Sequence, residues 1–282
     1  MRLPFLKMHG LGNDFVVIDN LTAQRRPEAA HVTPELARKI GDRHFGVGFD
    51  QLLWLKPAQD AKAAHAKMDI LNTDGSTAEM CGNGIRAVAL FLHDHGGQPG
   101  LKEYRIETGA GLLTVRISKD RLVAVDMGVP KLGGGFTPEG KTHHPGEEIE
   151  VLGEGYHFFE VSLGNPHAVV FRDAVHQFPI ERVGPVFESM PRFPRRTNVE
   201  FVEVQSTSDL RVRVWERGAG ITLACGTGAC AAAVTALAAG RVKGKVSVHL
   251  PGGTLAISWE GPGHPVIMEG PATEVFRGEF LI

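Results

Sequence analysis

The segment Cys81-Gly-Asn-Gly-Ile-Arg-Ala-Val-Ala89 returns 144 residues later as Cys225-Gly-Thr-Gly-Ala-Cys-Ala-Ala-Ala233, in a chain of 282 residues. A repeat spaced by half the chain length limits the fold more than any composition does. One match of this kind could arise by chance, because glycine marks turns everywhere. Four companions follow in the same order in both halves. Gly12-Asn13 is echoed by Gly164-Asn165, Pro34 by Pro179, Gln51–Leu55 by Asn198–Val202, and Gly111–Val115 by Gly253–Ile257. The ordered set predicts an internal duplication, with two halves related by a pseudo-twofold axis.

Short alternating or β-branched runs predict strands at Phe15–Asp19, Leu52–Leu55, Lys67–Leu71, Tyr104–Thr108, Leu112–Ile117 and Leu122–Asp126. In the second half they fall at His157–Leu163, His167–Phe171, Val199–Val204, Leu210–Trp215, Val246–Leu250, Thr254–Trp259 and Pro265–Glu269. Thr33-Pro34 reads as an N-cap and first helical residue, for a helix ending near Gly46. Each Cys-Gly-x-Gly leads into a helix that runs toward a glycine, Gly96 or Gly240. Ala231–Ala239 offers almost no polar face, so that helix belongs in the interior. The expectation is an α+β fold of two halves, each a mostly antiparallel sheet or barrel wrapped around one central helix. The N-terminal half, 1–126, carries Cys81, and the C-terminal half, 127–270, carries Cys225; residues 271–282 are free to return to the first half.

Composition narrows the class. Hydrophobic residues are 43% and charged residues 22%, which suits a globular chain and excludes a disordered one. A formal net charge of −2 supplies no field for nucleic acid or anionic lipid, so neither is expected as a partner. No run approaches the roughly 20 apolar residues of a membrane span, and the opening Met1–Lys7 lacks a secretory apolar core. Three cysteines are too few and odd in number for a disulfide framework, which points to a reducing, cytoplasmic setting.

Cys81 and Cys225 each stand where a loop enters a helix. Backbone N–H groups there lack intrahelical partners and the helix dipole favours negative charge. Such positions lower a thiol pKa from about 8.5 to somewhere in 3.5–7.5. The flanking glycines let a ligand carboxylate approach the same N–H groups. Cys230, inside the Ala-rich helix, reads as a small buried apolar residue. Two symmetric thiols predict a cleft where a stereocentre loses a proton to a thiolate on one face and gains one from a thiol on the other. Donors at two helix N-termini would stabilise the developing carbanion. That chemistry needs no cofactor, and neither G-x-G-x-x-G after a strand nor a Walker loop is present. Pyridoxal phosphate leaves no general local signature, so motifs alone do not exclude it. His143-His144 and the other histidines show no ligand spacing, and no metal site is expected.

Gly10–Phe15, Asn72–Ser76 leading to Met80–Gly84, Gly164–His167, Arg196–Glu200 and Trp215–Gly218 leading to Ala224–Gly228 together resemble diaminopimelate epimerase across nearly the whole chain. The resemblance implies a cofactor-independent two-base epimerase acting on a small amino-acid substrate, LL- and meso-diaminopimelate, for lysine and cell-wall precursors. It implies Cys81 and Cys225 as the acid/base pair, with Cys225 accepting and Cys81 donating in the LL-to-meso direction. Gly82, Asn83, Gly226 and Thr227 would hold the reacting carboxylate through their backbone. Asn13, Gln51, Asn72, Asn165, Asn198, Glu216 and Arg217 would line the site, with His167 and Glu216 tuning thiol ionisation. A homodimer is also implied. Arg217 offers a bidentate fork for the distal carboxylate, and Glu216 suits the distal ammonium. Ile221 stands where the family carries a polar or acidic residue.

Three other readings remain open at this level. A proline or hydroxyproline racemase shares the paired cysteines, although a ring substrate gives Arg217 nothing to bind. A dithiol redox protein lacks any Cys-x-x-Cys. A non-catalytic amino-acid-binding protein would bind diaminopimelate without exchanging its α-hydrogen.

Overall fold

The computed structural model describes residues 2–21, 32–96 and 98–282. The chain divides into two compact units, one of Met1–Val125 with Gly270–Ile282 and one of Asp126–Glu269. Both are α+β, and each builds the same sequence of pairings from its own residues.

In the first unit, the hairpin Arg2–Gly10/Asn13–Asp19 is antiparallel. A crossover through α1 (Pro34–Gly41) brings Gln51–Lys56 parallel to Asn13–Asp19. Ala66–Asn72 returns antiparallel to it. A second crossover, through the short strand Thr77–Ala78 and α2 (Gly82–His95), sets Glu103–Thr108 parallel to Ala66–Asn72. Gly111–Ile117 and Val123–Asp126 then follow as an antiparallel meander. Parallel neighbours cannot be joined by a tight turn, so each parallel pairing obliges a helical crossover. That obligation is what delivers α2.

The second unit repeats the plan. Glu154–Ser162 and Pro166–Phe171 form the hairpin, and α3 (Ile180–Glu188) crosses to Asn198–Val204, parallel to Pro166–Phe171. Asp209–Glu216 returns antiparallel, and α4 (Gly226–Ala238) crosses to Val246–Leu250, parallel to it. Gly253–Trp259 and Val266–Gly270 complete the meander. The two units differ in what covers the outer edge of the hairpin. Glu147–Val151 does so in the second unit, whereas Thr273–Leu281 from the end of the chain does so in the first.

The second helix of each unit lies inside its sheet. In α2 every residue from Asn83 to Leu92 is buried, and in α4 every residue from Gly228 to Ala236. The strands touching α4 come from all around the sheet, which explains why its helical face shows no polar stripe. The other face of each sheet is covered by the first helix. Ala37 and Ile40 of α1 close a core with Val16, Ile18, Phe49 and Leu52. Val183 and Phe187 of α3 do so with Phe158, Val199 and Phe201. Strands covered on both faces lose the alternation that a half-exposed strand shows, as in the buried run of Asn198–Phe201.

One local expectation needs correction. Helix α1 ends at Gly41, not near Gly46, because the Asp42 carboxylate accepts the N–H groups of His44 and Phe45 and turns the chain. Gly46 is instead tucked over that end, where a Cβ would lie 2.4 Å from the Lys39 carbonyl. Gly96 caps α2 in an extended conformation; only Gly240, with φ +64°, adopts the left-handed turn past α4.

Gly184 of α3 packs on the indole of Trp215, where a Cβ would approach the ring to 2.6 Å. Gly184→Ala therefore overpacks this contact and is expected to cost about 1–3 kcal/mol. Urea denaturation with unchanged m-value is the measurement.

Candidate active site

Both cysteines are helix N-caps. Cys81 has φ −140° and ψ 110°, and its Sγ accepts the N–H of Gly84 at 3.2 Å; Cys225 has φ −114° and ψ 111°, and its Sγ accepts the N–H of Gly228 at 3.3 Å. The glycine three residues on is a spatial requirement. A Cβ on Gly84 would sit 3.1 Å from Leu53 and 3.4 Å from the Cys81 sulfur, and one on Gly228 would sit 2.7 Å from Glu200 Oε1. Gly82-Asn83 and Gly226-Thr227 are the first two helical residues, whose amides have no carbonyl four residues back within the helix.

The first unit surrounds Cys81 with neutral amides. Asn13 Oδ1 lies 3.8 Å from Cys81 Sγ and accepts from Asn83 Nδ2 at 3.3 Å, while Asn13 Nδ2 donates to Asp50 at 2.8 Å. Gln51 and Asn72 face each other across their antiparallel pair, with Gln51 Nε2 donating to Asn72 Oδ1 at 3.1 Å. Gln51 Oε1 is buried with no hydrogen-bond partner among the described residues. The structure thus brings Cys81 together with Gly82, Asn83 and Asn13, and pairs Gln51 with Asn72.

Charged groups behind these amides were not singled out in the sequence. Arg86, fully buried, donates to the carbonyls of Gly82 (3.1 Å) and Pro271 (3.2 Å) and to Asn83 Oδ1 (2.9 Å). Occupying Oδ1 leaves Asn83 Nδ2 to face Asn13. Asp50, which holds Asn13, is itself held by Arg43 at 2.7 Å, and Arg43 also bonds Asp14 at 2.8 Å. Lys7 and Arg43 keep the Asp14 carboxyl below its ordinary range against the opposing effect of its burial.

The second unit surrounds Cys225 with carboxylates. Glu216, on the strand Asp209–Glu216, accepts from Thr222 Oγ1 and acts on Cys225 through its charge. Burial pushes its carboxyl up despite the Thr222 bond, with the Glu200 charge adding to the rise. Burial likewise pushes the Cys225 thiol well above its ordinary value, and Glu216 and Glu200 push it the same way; the Thr227 hydroxyl and the Gly228 N–H pull it down. This corrects the expectation of a lowered thiol pKa. Desolvation and two nearby carboxylates outweigh the helix terminus, because an interior charge loses water that two partial dipoles do not replace.

The remaining expected residues form two arrays. Asn165 Nδ2 donates to Thr227 Oγ1 at 3.2 Å, Asn165 Oδ1 faces His167 Nε2 at 3.0 Å, and His167 Nδ1 faces Glu200 Oε1 at 2.7 Å. Asn198 donates to the Pro166 carbonyl at 2.8 Å and accepts the N–H of Arg217 at 2.9 Å, so it holds the strand ends on either side of it. The Arg217 side chain is exposed, with one bond to the Arg195 carbonyl at 3.2 Å. Buried Glu188 fixes the turn that presents it, accepting from Trp215 Nε1 at 2.7 Å and the Gly218 N–H at 2.9 Å. Ile221 is exposed and pairs with Trp215 across that turn. Glu188, Glu200 and Thr222 were missed as site residues, although a Glu in the apolar run Val-Glu-Phe-Val carried a signal.

Comparison with known proteins settles the family. The family model for diaminopimelate epimerase matches residues 5–133 and 159–275. Diaminopimelate epimerase 1 of Nostoc sp. is 46% identical over 286 residues, covering 99% of this chain and 100% of the relative. This chain belongs to the diaminopimelate epimerase family. Solved structures with the same fold lie further off in sequence. A phenazine biosynthesis protein of the PhzF family from Bacillus anthracis matches with a TM-score of 0.72 at 15% identity, covering 100% of both chains. A hydroxyproline epimerase from Agrobacterium vitis matches with a TM-score of 0.66 at 17% identity, covering 99% of this chain and 91% of that one. Within the diaminopimelate epimerase family fold, both cysteine caps lie on the crossover helix enclosed by the sheet.

The raised carboxyl of Glu216 gives a stability prediction. The folded state holds that proton more tightly than the unfolded one, so the group's contribution is full below about pH 4.5 and falls as pH rises through the raised value. Glu216→Gln should therefore raise the thermal midpoint at pH 7–8 and leave it unchanged near pH 4, in paired melting curves.

Proposed function

We propose that this chain is a diaminopimelate epimerase, interconverting LL- and meso-2,6-diaminopimelate without a cofactor, in the synthesis of lysine and peptidoglycan precursors. The observation carrying the reading is one cysteine at the N-cap of the enclosed helix in each of two units of identical topology. A thiolate removes the proton from the α-carbon, leaving the C–H electron pair on carbon as a carbanion conjugated with the carboxylate. The other thiol returns a proton to the opposite face. Each turnover leaves the two sulfurs with exchanged protonation, so the enzyme is then ready for the other isomer.

The second unit's geometry supports such an exchange. Burial keeps Cys225 as a thiol in the free protein, the form that donates. Glu216, whose charge acts on that thiol, is proposed to take its proton when Cys225 must act as the base. The N–H groups of Gly82, Asn83, Gly226 and Thr227 are proposed to hold the reacting carboxylate, since helix N-termini favour anions. The orphaned Gln51 Oε1 is an acceptor suited to a substrate ammonium, and Arg217 supplies the cation for the distal carboxylate. Asn13, Asn72, Asn165 and Asn198 orient without adding charge. His167 acts on Cys225 through the array described above.

We also propose a cytoplasmic homodimer. Support for the dimer is the exposed apolar row Val275, Phe276, Leu281 and Ile282 along the final strand. No helix among the described residues is long and apolar enough to cross a membrane.

NMR of LL-diaminopimelate with the protein in D₂O should show α-deuteration and the meso isomer, while proline and hydroxyproline stay unchanged. Turnover of proline instead would refute the assignment. Cys81→Ala and Cys225→Ala should each lose at least about 10³-fold in exchange with native circular dichroism; near-normal turnover in either would end the two-base scheme. Sedimentation should show a dimer in the parent and a monomer in Phe276→Glu.

A further inference from the structure

His167 lies between two oxygens, Glu200 Oε1 at 2.7 Å from Nδ1 and Asn165 Oδ1 at 3.0 Å from Nε2. The side chains of both His167 and Glu200 are fully buried, and Glu200 Oε2 has no hydrogen-bond partner among the described residues. Among the described residues the 2.7 Å contact with His167 is the hydrogen bond that compensates this buried carboxyl. An amide oxygen can only accept, so His167 Nε2 is the donor in its contact with Asn165 Oδ1. Asn165 must then present its oxygen to His167 and its NH₂ group to Thr227, at 3.2 Å. Thr227 Oγ1 accepts that bond and lies 3.5 Å from Cys225 Sγ. With the Asn165 NH₂ group occupying its acceptor side, the Thr227 hydroxyl keeps its hydrogen for the sulfur, which as a thiolate can only accept.

We propose that Glu200, His167, Asn165 and Thr227 form a hydrogen-bond relay of fixed direction whose last member, the Thr227 hydroxyl, is a catalytic donor to the Cys225 thiolate. This rests on the epimerase reading and deepens it, since Thr227 otherwise enters only through its backbone. No proton moves along the relay. The hydroxyl bond strengthens when Cys225 becomes anionic, so it favours the half-reaction in which Cys225 is the base. Glu200 is a positioning residue. If Glu200 is replaced by Gln, the ring loses the bond that fixes Nε2 toward Asn165, the Asn165 amide is free to turn over, and Thr227 then points its hydrogen at Asn165 instead of sulfur. Removing the Glu200 charge also relieves its upward push on the thiol, so the hydroxyl is read from the Thr227 variants. The titratable groups facing Cys225 are Glu216, Glu200 and His167, one from each of three adjacent strands.

The test reads sulfur directly. Iodoacetamide labelling of Cys225 at pH 9, followed by mass spectrometry, should be slowed about tenfold in Thr227→Val, as expected for loss of one charge-assisted bond. Thr227→Ser should label like the parent. The ¹⁵N spectrum of the His167 imidazole should show a proton fixed on Nε2 in the parent and a mixture of tautomers in Glu200→Gln. Parent-like labelling of Thr227→Val, or an Nε2 without a proton in the parent, would overturn the relay. Neither readout needs turnover, so an inactive parent with the expected labelling pattern would refute the epimerase reading and leave the relay standing.

Discussion

Everything in the candidate site depends on a sulfur accepting the backbone N–H three residues ahead of it. That bond satisfies one of the amides a helix start leaves orphaned. It also decides the residues around it: glycine at the third position, because a side chain there would strike sulfur, Leu53 or Glu200. The helix so capped is then drawn inside the sheet by the parallel pairing on either side of its crossover. A polar reaction centre is thus placed at the end of an apolar rod, and only its first turn is available for chemistry.

One scaffold carries two electrostatic settings. Around Cys81 the side chains are amides, held by Arg86 and by the Arg43–Asp50 pair from behind. Around Cys225 they are Glu216 and Glu200, with His167 bonded to Glu200. The backbone needs only the cap to be the same in both units, so the surrounding charges were free to diverge.

The repeat, the two caps and the enclosed helices were legible in the sequence because they rest on local rules: turn glycines, helix ends and an apolar run without a polar stripe. The strands Arg2–Gly10, Glu147–Val151 and Thr273–Leu281 were not. Pro4 and Lys7 interrupt the first, and Lys7 is buried with its ammonium paired to Asp14 and donating to the Gly48 carbonyl. Glu147-Glu-Ile-Glu-Val151 and the last strand alternate weakly, because their burial depends on a distant partner strand. The thiol pKa was misjudged for a similar reason. A helix N-terminus can be read locally, whereas the two carboxylates that act on Cys225, Glu200 and Glu216, come from two separate strands. Arg86 and Glu200 were invisible in role, since nothing in spacing tells a buried ion from a solvated one.

The last nine-residue strand, Thr273–Leu281, pairs along Arg2–Gly10 and closes the sheet begun at the start of the chain. A ribosome therefore releases the material of the second unit complete before the first can be finished. The hairpin Arg2–Gly10/Asn13–Asp19 waits with an open edge until Thr273–Leu281 has been made. A stop between Cys225 and Thr273 spares both cysteines yet leaves that edge bare and the product open to edge-to-edge association.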